Sequence, residues 1–165
     1  MADLTNLETK LGEVMGLAMA AQAATEKVVR LAEDEASELV PVLQRMHSEA
    51  EETEQRCMRI IDALEGKKTA IQDESSATKR KGAEMMKTYL DHDADALDGF
   101  EFLAMAEAGE VGHWKVLRTM NGREGDHAIA ELSEWAIPIQ ERHFAEVNRA
   151  CQKLAAASDP AAIAG

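Results

Sequence analysis

The sequence FEFLAMAEAGEVGHW, residues 100–114, decides the fold prediction and contains the strongest functional candidate. At about 100° per residue, its apolar residues fall on one stripe of an α-helix: Phe100, Leu103, Ala104, Val111 and Trp114. Glu107 lies in the middle of this stripe, and Glu110 lies at its edge. A carboxylate on an apolar helix face is costly unless it is neutralised, paired or bound to a metal ion. We therefore predict a functional role for Glu107.

Length and composition predict one all-α domain that spans residues 1–165. The chain has only three prolines and shows no alternation of the kind found in strands. A chain of this length can bury a sizeable core. We expect residues 1–3 and 158–165 to fray at the ends of the domain.

The charge and the cysteines limit the classes of partner and the compartment. With 18 Lys and Arg against 31 Asp and Glu, the net charge is -13, which argues against a nucleic-acid partner and favours binding of cations. No apolar run approaches the roughly 18 residues of a membrane span, so no membrane partner is expected. The N-terminus lacks a signal-peptide pattern, and Cys57 and Cys151 lack a CxxC spacing. We therefore expect reduced core thiols and a cytoplasmic protein.

Apolar periodicity predicts four long helices with a longer connection in the middle. Residues 69–82 are polar and are predicted to be this connection, and a short extra helix is predicted over residues 83–90. The third long helix is predicted to end at a turn marked by Asn121, Gly122 and Gly125, and Pro138 should kink the fourth. The four helices are predicted over residues 4–36, from Pro41 to Gly66, from Asp95 or Asp98 to Met120, and over residues 126–156. Two helical hairpins joined by a longer crossover are typical of a four-helix bundle of ferritin-like connectivity.

Hairpin geometry predicts which polar residues of the third and fourth helices share a level. A reversal near Gly122 puts Glu107 level with Gln140 and one turn from His143, which lies on the apolar stripe of the fourth helix. The sequence contains one literal Glu-x-x-His pattern, Glu110 to His113, but His113 points away from the apolar stripe. His143 is therefore the better candidate ligand.

The first hairpin offers acidic residues at a similar level. A reversal at residues 37–40 puts Glu26 level with residues 51–54. The acidic run 49–54 is by default a solvated face, so only Glu54, beside the apolar stripe, joins Glu26 as a candidate. Carboxylates and imidazoles from four helices are the plan of a di-iron carboxylate bundle, and they suit two ions of Fe or Mn. The predicted metal ligands are Glu26, Glu54, Glu107, Glu110 and His143, with Glu107 bridging.

Two runs of sequence resemble a known family. Residues 49–55, EAEETEQ, and residues 107–117, EAGEVGHWKVL, resemble the YciE/YciF-like branch of the ferritin-like superfamily, and residues 96–98 are similar to its lead-in to the third helix. Glu107 and Glu110 match the acidic pair of the family's third helix. The resemblance implies a helical bundle, often dimeric, with a candidate di-metal centre and no firmly assigned reaction.

The match to the family is incomplete at two positions. Glu49 stands where the family has His, and either Glu141 or Gln140 falls where the family has acidic residues in its fourth helix. The sequence also leaves open whether Glu51, His47 or Gln22 completes the site.

Three functions are compatible with these features, and the first is the principal prediction. The first is a metal-binding protein that oxidises Fe(II) or reacts with O₂ or peroxide in a stress response, with a ferroxidase as the enzyme class and no catalytic residue assigned. The second is a metal-free helical scaffold or stress-associated interaction protein. The third is cargo of a larger assembly. The resemblance also implies a homodimer or higher homo-oligomer.

Overall fold

The computed structural model describes residues 2–163, and within them it contains five α-helices and no strand. The all-α prediction is confirmed. The helices are α1 (Asn6–Glu35), α2 (Val40–Asp62), α3 (Lys68–Tyr89), α4 (Ala96–Glu124) and α5 (His127–Ala157), with a short 3₁₀ turn at Ser37–Leu39 between α1 and α2. None of these helices combines the length and the apolar character that crossing a membrane requires. The predicted fraying falls partly on Met1, Ala164 and Gly165, which lie outside the described residues.

Side-chain caps fix where the long helices begin. The Thr5 hydroxyl accepts a hydrogen bond from the Glu8 amide and the Glu8 carboxylate accepts one from the Thr5 amide, which closes a capping box before α1. Asp95 and Asp98 form the same reciprocal pair before α4. These caps satisfy backbone amides that have no partner within the helix, so they stabilise both starting points.

The turn between α4 and α5 lies later than the sequence predicted. Of the three residues predicted to mark this turn, Asn121 and Gly122 are still helical, because α4 continues to Glu124, and Gly125 ends the helix in a left-handed conformation with φ of 75°. Asn121 belongs to helix α4 and its side chain is buried. This side chain spans the turn by donating a hydrogen bond to the Asp126 carbonyl and accepting one from the Asp126 backbone amide. The side-chain amide of Asn121 thus stabilises the turn although Asn121 itself lies in the helix.

The polar segment 69–82, predicted to be a connection, is instead part of helix α3. This helix packs closely on α1 because both partners present small residues at the contact. The Ser75 hydroxyl donates to the Gly12 carbonyl at 2.8 Å. A Cβ atom at Gly16 would lie 2.5 Å from the Ser75 carbonyl oxygen and 2.6 Å from the Thr78 Cβ. The helix therefore docks through glycines of α1 and has no wide apolar stripe of its own.

Close approaches show how α1 runs relative to its neighbours. Gln22 contacts Glu54 and Thr25 contacts His47, so α1 and α2 are antiparallel. Along α3, however, Gly12 lies near Ile71, Gly16 near Ser75, and Ala20 near Gly82, so α3 runs parallel to α1. The α3 helix therefore carries the chain back along α1 before α4 begins.

The remaining helix pairs are also antiparallel. In α1 and α4, Glu13 lies beside His113, and Val28 lies beside Gly99. In α2 and α5, Arg45 contacts Glu146 and Glu49 contacts Arg142, while α4 and α5 pack along their lengths. Both α2 and α4 consequently run opposite to α1 and to α5.

The interior consists of two apolar clusters with a polar layer between them. Buried residues of α4 and α5 follow one another at alternating spacings of three and four, as in heptad packing. Contact between Glu107 and His143 fixes the register of this antiparallel pair. Stepping equally along both helices gives the layers Phe100 with Ala150, Leu103 with Val147, Glu107 with His143, Glu110 with Gln140, Trp114 with Ala136, and Leu117 with Ser133. Two consecutive polar layers thus separate the cluster around Phe100 from the cluster around Trp114.

Candidate metal centre

Four polar side chains are buried together at the centre of the α4–α5 interface. Glu107 is 1% exposed, Glu110 is 3% exposed, and Gln140 and His143 are each 2% exposed. Polar groups buried this deeply cost free energy unless they have partners. The contacts of these four side chains, called the buried layer below, therefore show which of their polar atoms have no partner.

Glu107 and His143 face each other without forming a hydrogen bond. The Glu107 Oε2 atom lies 3.6 Å from His143 Nδ1, which exceeds a normal hydrogen-bond distance. Oε2 is buried and has no hydrogen-bond partner among residues 2–163. A negatively charged oxygen thus lies in the interior opposite an imidazole nitrogen, with a gap between them.

The other nitrogen of His143 is held by Glu49 of α2. His143 Nε2 lies 2.9 Å from Glu49 Oε2, a hydrogen-bond distance. Glu49 also pairs with Arg142 and, at 3.6 Å, with Arg45. When the neutral ring donates its Nε2 proton to Glu49, Nδ1 becomes an acceptor that faces Glu107. This is the arrangement in which a carboxylate orients a histidine for metal binding.

The electrostatics of the layer favour extra positive charge. Burial alone would lower the pKa of His143, but the carboxylates of Glu107 and Glu49 outweigh burial and hold it above its ordinary value. Burial and the negative charge of Glu107 raise the pKa of Glu110 well above its ordinary value. The two shifts share one cause, the carboxylate of Glu107 beside both groups. A proton or a metal ion would offset this negative charge.

The two predicted ligands on α1 and α2 lie apart from the buried group. The Glu26 side chain is 58% exposed and its nearest cation is Arg30, at 3.8 Å. Glu54 is half-buried in a surface groove, where it accepts a hydrogen bond of 2.6 Å from Gln22. The structure therefore brings together Glu107, Glu110 and His143, and it leaves Glu26 and Glu54 at the surface of the α1–α2 hairpin.

Small or neutral residues occupy the buried positions of α1 and α2 near the polar layer. The α1 helix presents Ala21 and Ala24 beside Glu107. The α2 helix buries Ala50 and Thr53, and the Thr53 hydroxyl donates back to the Glu49 carbonyl. These positions offer no carboxylate or imidazole that could serve a second ion.

Of the residues left open by the sequence, Gln140 is the one that the structure places in the buried layer. Its Oε1 atom is buried and has no hydrogen-bond partner among the described residues. By contrast, Glu141 is exposed and pairs with Lys115 at 2.7 Å. His47 contacts Thr25 and lies 3.4 Å from the exposed Glu51. The side chain of His113, set aside in the sequence reasoning, is 42% exposed beside Glu13.

Sequence reasoning missed the role of Glu49. The run 49–54 was interpreted as a solvated face, but the Glu49 side chain is only 17% exposed and contacts His143. Its position, three residues after the buried Met46 and four before the buried Thr53, was a signal that it borders the interior. This spacing within α2 does not show that His143 is the partner of Glu49, because that contact depends on how α2 packs on α5.

Within residues 2–163, three candidate metal-binding atoms already lie within 4.8 Å of one another only at Asp91, His92 and Asp93. All three residues are exposed in the loop between α3 and α4. Exposed acidic groups of this kind are common without any ion, so this cluster is weak evidence for a site. The side chains of the buried layer do not meet this distance, so they would have to move to close around an ion.

Comparisons with known proteins give no family for this chain. No protein-family model matches it, and neither the curated proteins nor the solved structures include a significant match.

Proposed function

We propose that α1, α2, α4 and α5 form a four-helix bundle of ferritin-like connectivity, with α3 as the crossover. The helix directions support this proposal, since α1 is antiparallel to α2 and α4, and α5 is antiparallel to the same two helices. The α3 helix, parallel to α1, makes the long return that such a connectivity requires. The resemblance to the YciE/YciF-like branch is consistent with this arrangement and stays a prediction.

We further propose that the buried layer binds a divalent ion of Fe or Mn through Glu107, Glu110 and His143, with Gln140 as a neutral oxygen donor. The observation that carries this proposal is the unpartnered Glu107 Oε2 facing His143 Nδ1 at 3.6 Å. Two donors that each lie roughly 2.1 Å from one ion at a tetrahedral angle are roughly 3.4 Å apart. The observed separation is therefore close to that of two ligands of one ion.

The chemistry of the donors also fits the proposed metals. Carboxylate oxygen, amide oxygen and imidazole nitrogen suit Fe and Mn, and the layer contains no thiol that would favour softer ions. Glu49 orients the ring of His143, and apolar clusters pack against the layer on both sides. When bound, such an ion would supply redox chemistry toward O₂ or peroxide, the reaction class of a ferroxidase.

The proposal has one ion where the sequence predicted two. Glu26 and Glu54, the predicted ligands of α1 and α2, lie at the surface of their hairpin. A second ion would need both side chains to move toward the interior. A cytoplasmic location, a role in stress and a homo-oligomeric state remain part of the proposal, and the two free cysteines are consistent with a reducing compartment.

A metal titration tests the proposal. Anaerobic protein titrated with Fe(II) or Mn(II) should bind one ion per chain, and a Glu107→Gln, His143→Ala double variant should bind none at that affinity. Glu54→Gln is the matched control, because it changes a half-buried carboxylate outside the layer. Two ions per chain with loss of one in Glu54→Gln would support the two-ion prediction instead. Equal binding by wild type and double variant would refute the site.

One observation favours the metal-free scaffold as the second candidate. A protonated His143 between Glu107 and Glu49 would be a buried ionic triad, and the raised pKa of His143 is the direction that this triad requires. Such a triad would specify how α2, α4 and α5 pack without any ion. Protein that unfolds at the same temperature with chelator and with saturating Mn(II) would favour this candidate.

A further inference from the structure

A cavity of about 210 Å³ lies between α1, α3 and α4, and its lining includes Glu107 but not His143. It opens at the surface between Met85 of α3 and Met105 of α4, whose side chains are 50% and 45% exposed. Thioether side chains are flexible and adapt to ligands of varied shape. The opening is therefore suited to admit a small molecule.

The walls of the cavity are apolar and its inner end is acidic. Small residues of α1 leave the space that the cavity occupies, and Leu17 and Leu103 complete its walls. Glu107 and Glu110 line the same cavity although both are almost fully buried. A molecule that fills this space meets hydrocarbon first and two carboxyl groups at the end.

The charges at the inner end select the class of ligand. Among residues 2–163, no Lys or Arg pairs with either acid, and the Oε2 atom of Glu107 has no hydrogen-bond partner. His143 contacts Glu107 but does not line the cavity, and His113, which does line it, pairs with Glu13. An anionic ligand would be repelled here, whereas a cationic head group would be attracted.

We propose that this cavity binds a small primary alkylamine, with its ammonium group at Glu110 and its alkyl chain between α1, Met85 and Met105. A volume of about 210 Å³ equals about seven water molecules, which matches a ligand of about seven non-hydrogen atoms. The proposal goes beyond metal binding and does not depend on it, because the cavity and its acids exist without an ion.

Calorimetric titration of the full-length protein with n-hexylamine, in the presence of a chelator, tests the proposal. Hexylamine should bind, while n-hexanol should bind at least tenfold more weakly and hexanoate should not bind. Shortening the amine by one methylene should weaken binding roughly fourfold, because each buried methylene contributes to affinity. Glu110→Gln should weaken hexylamine binding about tenfold to a hundredfold, because an amide cannot ionise to pair with the ammonium group.

Two glycines of α4 provide a matched pair of variants. Gly109 lines the cavity and Gly112 does not, yet a Cβ atom at either position would have no atom within 4 Å. Gly109→Leu should therefore fold and obstruct the cavity, and Gly112→Leu should fold and bind hexylamine as wild type does.

Several results would overturn the proposal. Equal affinity for hexanol and hexylamine would show an apolar cavity without charge selection. Unchanged binding in Gly109→Leu would place the ligand elsewhere. Absence of hexylamine binding, together with a dimer that Met105→Glu dissociates, would show that a second copy of the chain covers the opening. Protein that binds Mn(II) but no amine contradicts only this proposal, and the reverse result contradicts only the metal proposal.

Discussion

Replacing Glu49 with Gln should weaken metal binding although Glu49 is not a proposed ligand. The Glu49 carboxylate accepts the Nε2 proton of His143 at 2.9 Å and so directs Nδ1 toward Glu107. Loss of a carboxylate that orients a metal-binding histidine typically lowers affinity 10- to 100-fold, which is about 1.4–2.7 kcal/mol. The partners that Glu49 leaves behind, Arg45 and Arg142, are almost half exposed, so their loss of an ion pair should cost little.

Electron paramagnetic resonance of free Mn(II) measures this affinity directly. The matched control is Glu52→Gln, which removes an acid of the same helix that pairs with Arg56 at the surface. A nitrogen NMR spectrum of the His143 ring supplies a second readout, because Glu49→Gln should shift the ring from its Nε2-protonated tautomer toward a mixture. If the Mn(II) affinity of Glu49→Gln is within twofold of that of wild type while His143→Ala does not bind, then Glu49 does not orient His143 for metal binding.

Three further predictions concern stability. Mn(II) at a hundredfold excess over its dissociation constant should stabilise the protein by about 2.7 kcal/mol and raise the melting temperature by roughly 5–10 °C, and calorimetry should show no such rise in Glu107→Gln. The raised pKa of His143 means that, without metal, the folded state holds a proton that the unfolded state releases near pH 6.5. The free energy of unfolding should therefore fall as the pH rises from 6 toward the folded-state pKa. The raised pKa of Glu110 should lower it in the same direction from about pH 4.5 upward. Urea denaturation at pH 6 and pH 8 checks this sign, and a His143→Gln variant with the same fall as wild type above pH 6.5 would contradict it. Gly16→Ala should destabilise the protein by about 1–3 kcal/mol, because its Cβ would overlap α3. Gly122→Ala, in open space on α4, should be neutral or stabilising by up to about 1 kcal/mol. Equal effects of the two substitutions in urea denaturation would argue against the close packing of α3 on α1.

The sequence predicted those features that depend on contacts within one helix or one hairpin. The stripe from Phe100 to Trp114 predicted α4, and hairpin geometry placed His143 within one turn of the level of Glu107; in the structure the two side chains lie 3.6 Å apart. The same geometry placed Gln140 opposite Glu107, but the later turn at Gly125 moves Gln140 to the level of Glu110.

Features that depend on packing between distant helices were not predicted. The α3 helix lacks an apolar stripe because Ser75 and its neighbours dock on glycines of α1, so its polar sequence was taken for a connection. Glu49 finds His143 through the packing of α2 on α5, far from it in sequence. Hairpin geometry gave the heights of Glu26 and Glu54 along the helix axes. It does not give the direction in which a residue on the flank of a helix points, and both side chains lie outside the buried layer.

The most direct test of the central claim is a crystal structure of the protein grown with Mn(II), with anomalous scattering used to locate the ion. We expect one anomalous peak per chain within about 2.0–2.3 Å of Glu107 Oε2 and His143 Nδ1, with Glu110 or Gln140 completing the ligands. A structure in which the buried layer keeps the 3.6 Å gap without a peak, or in which the ion lies only at residues 91–93, would contradict it.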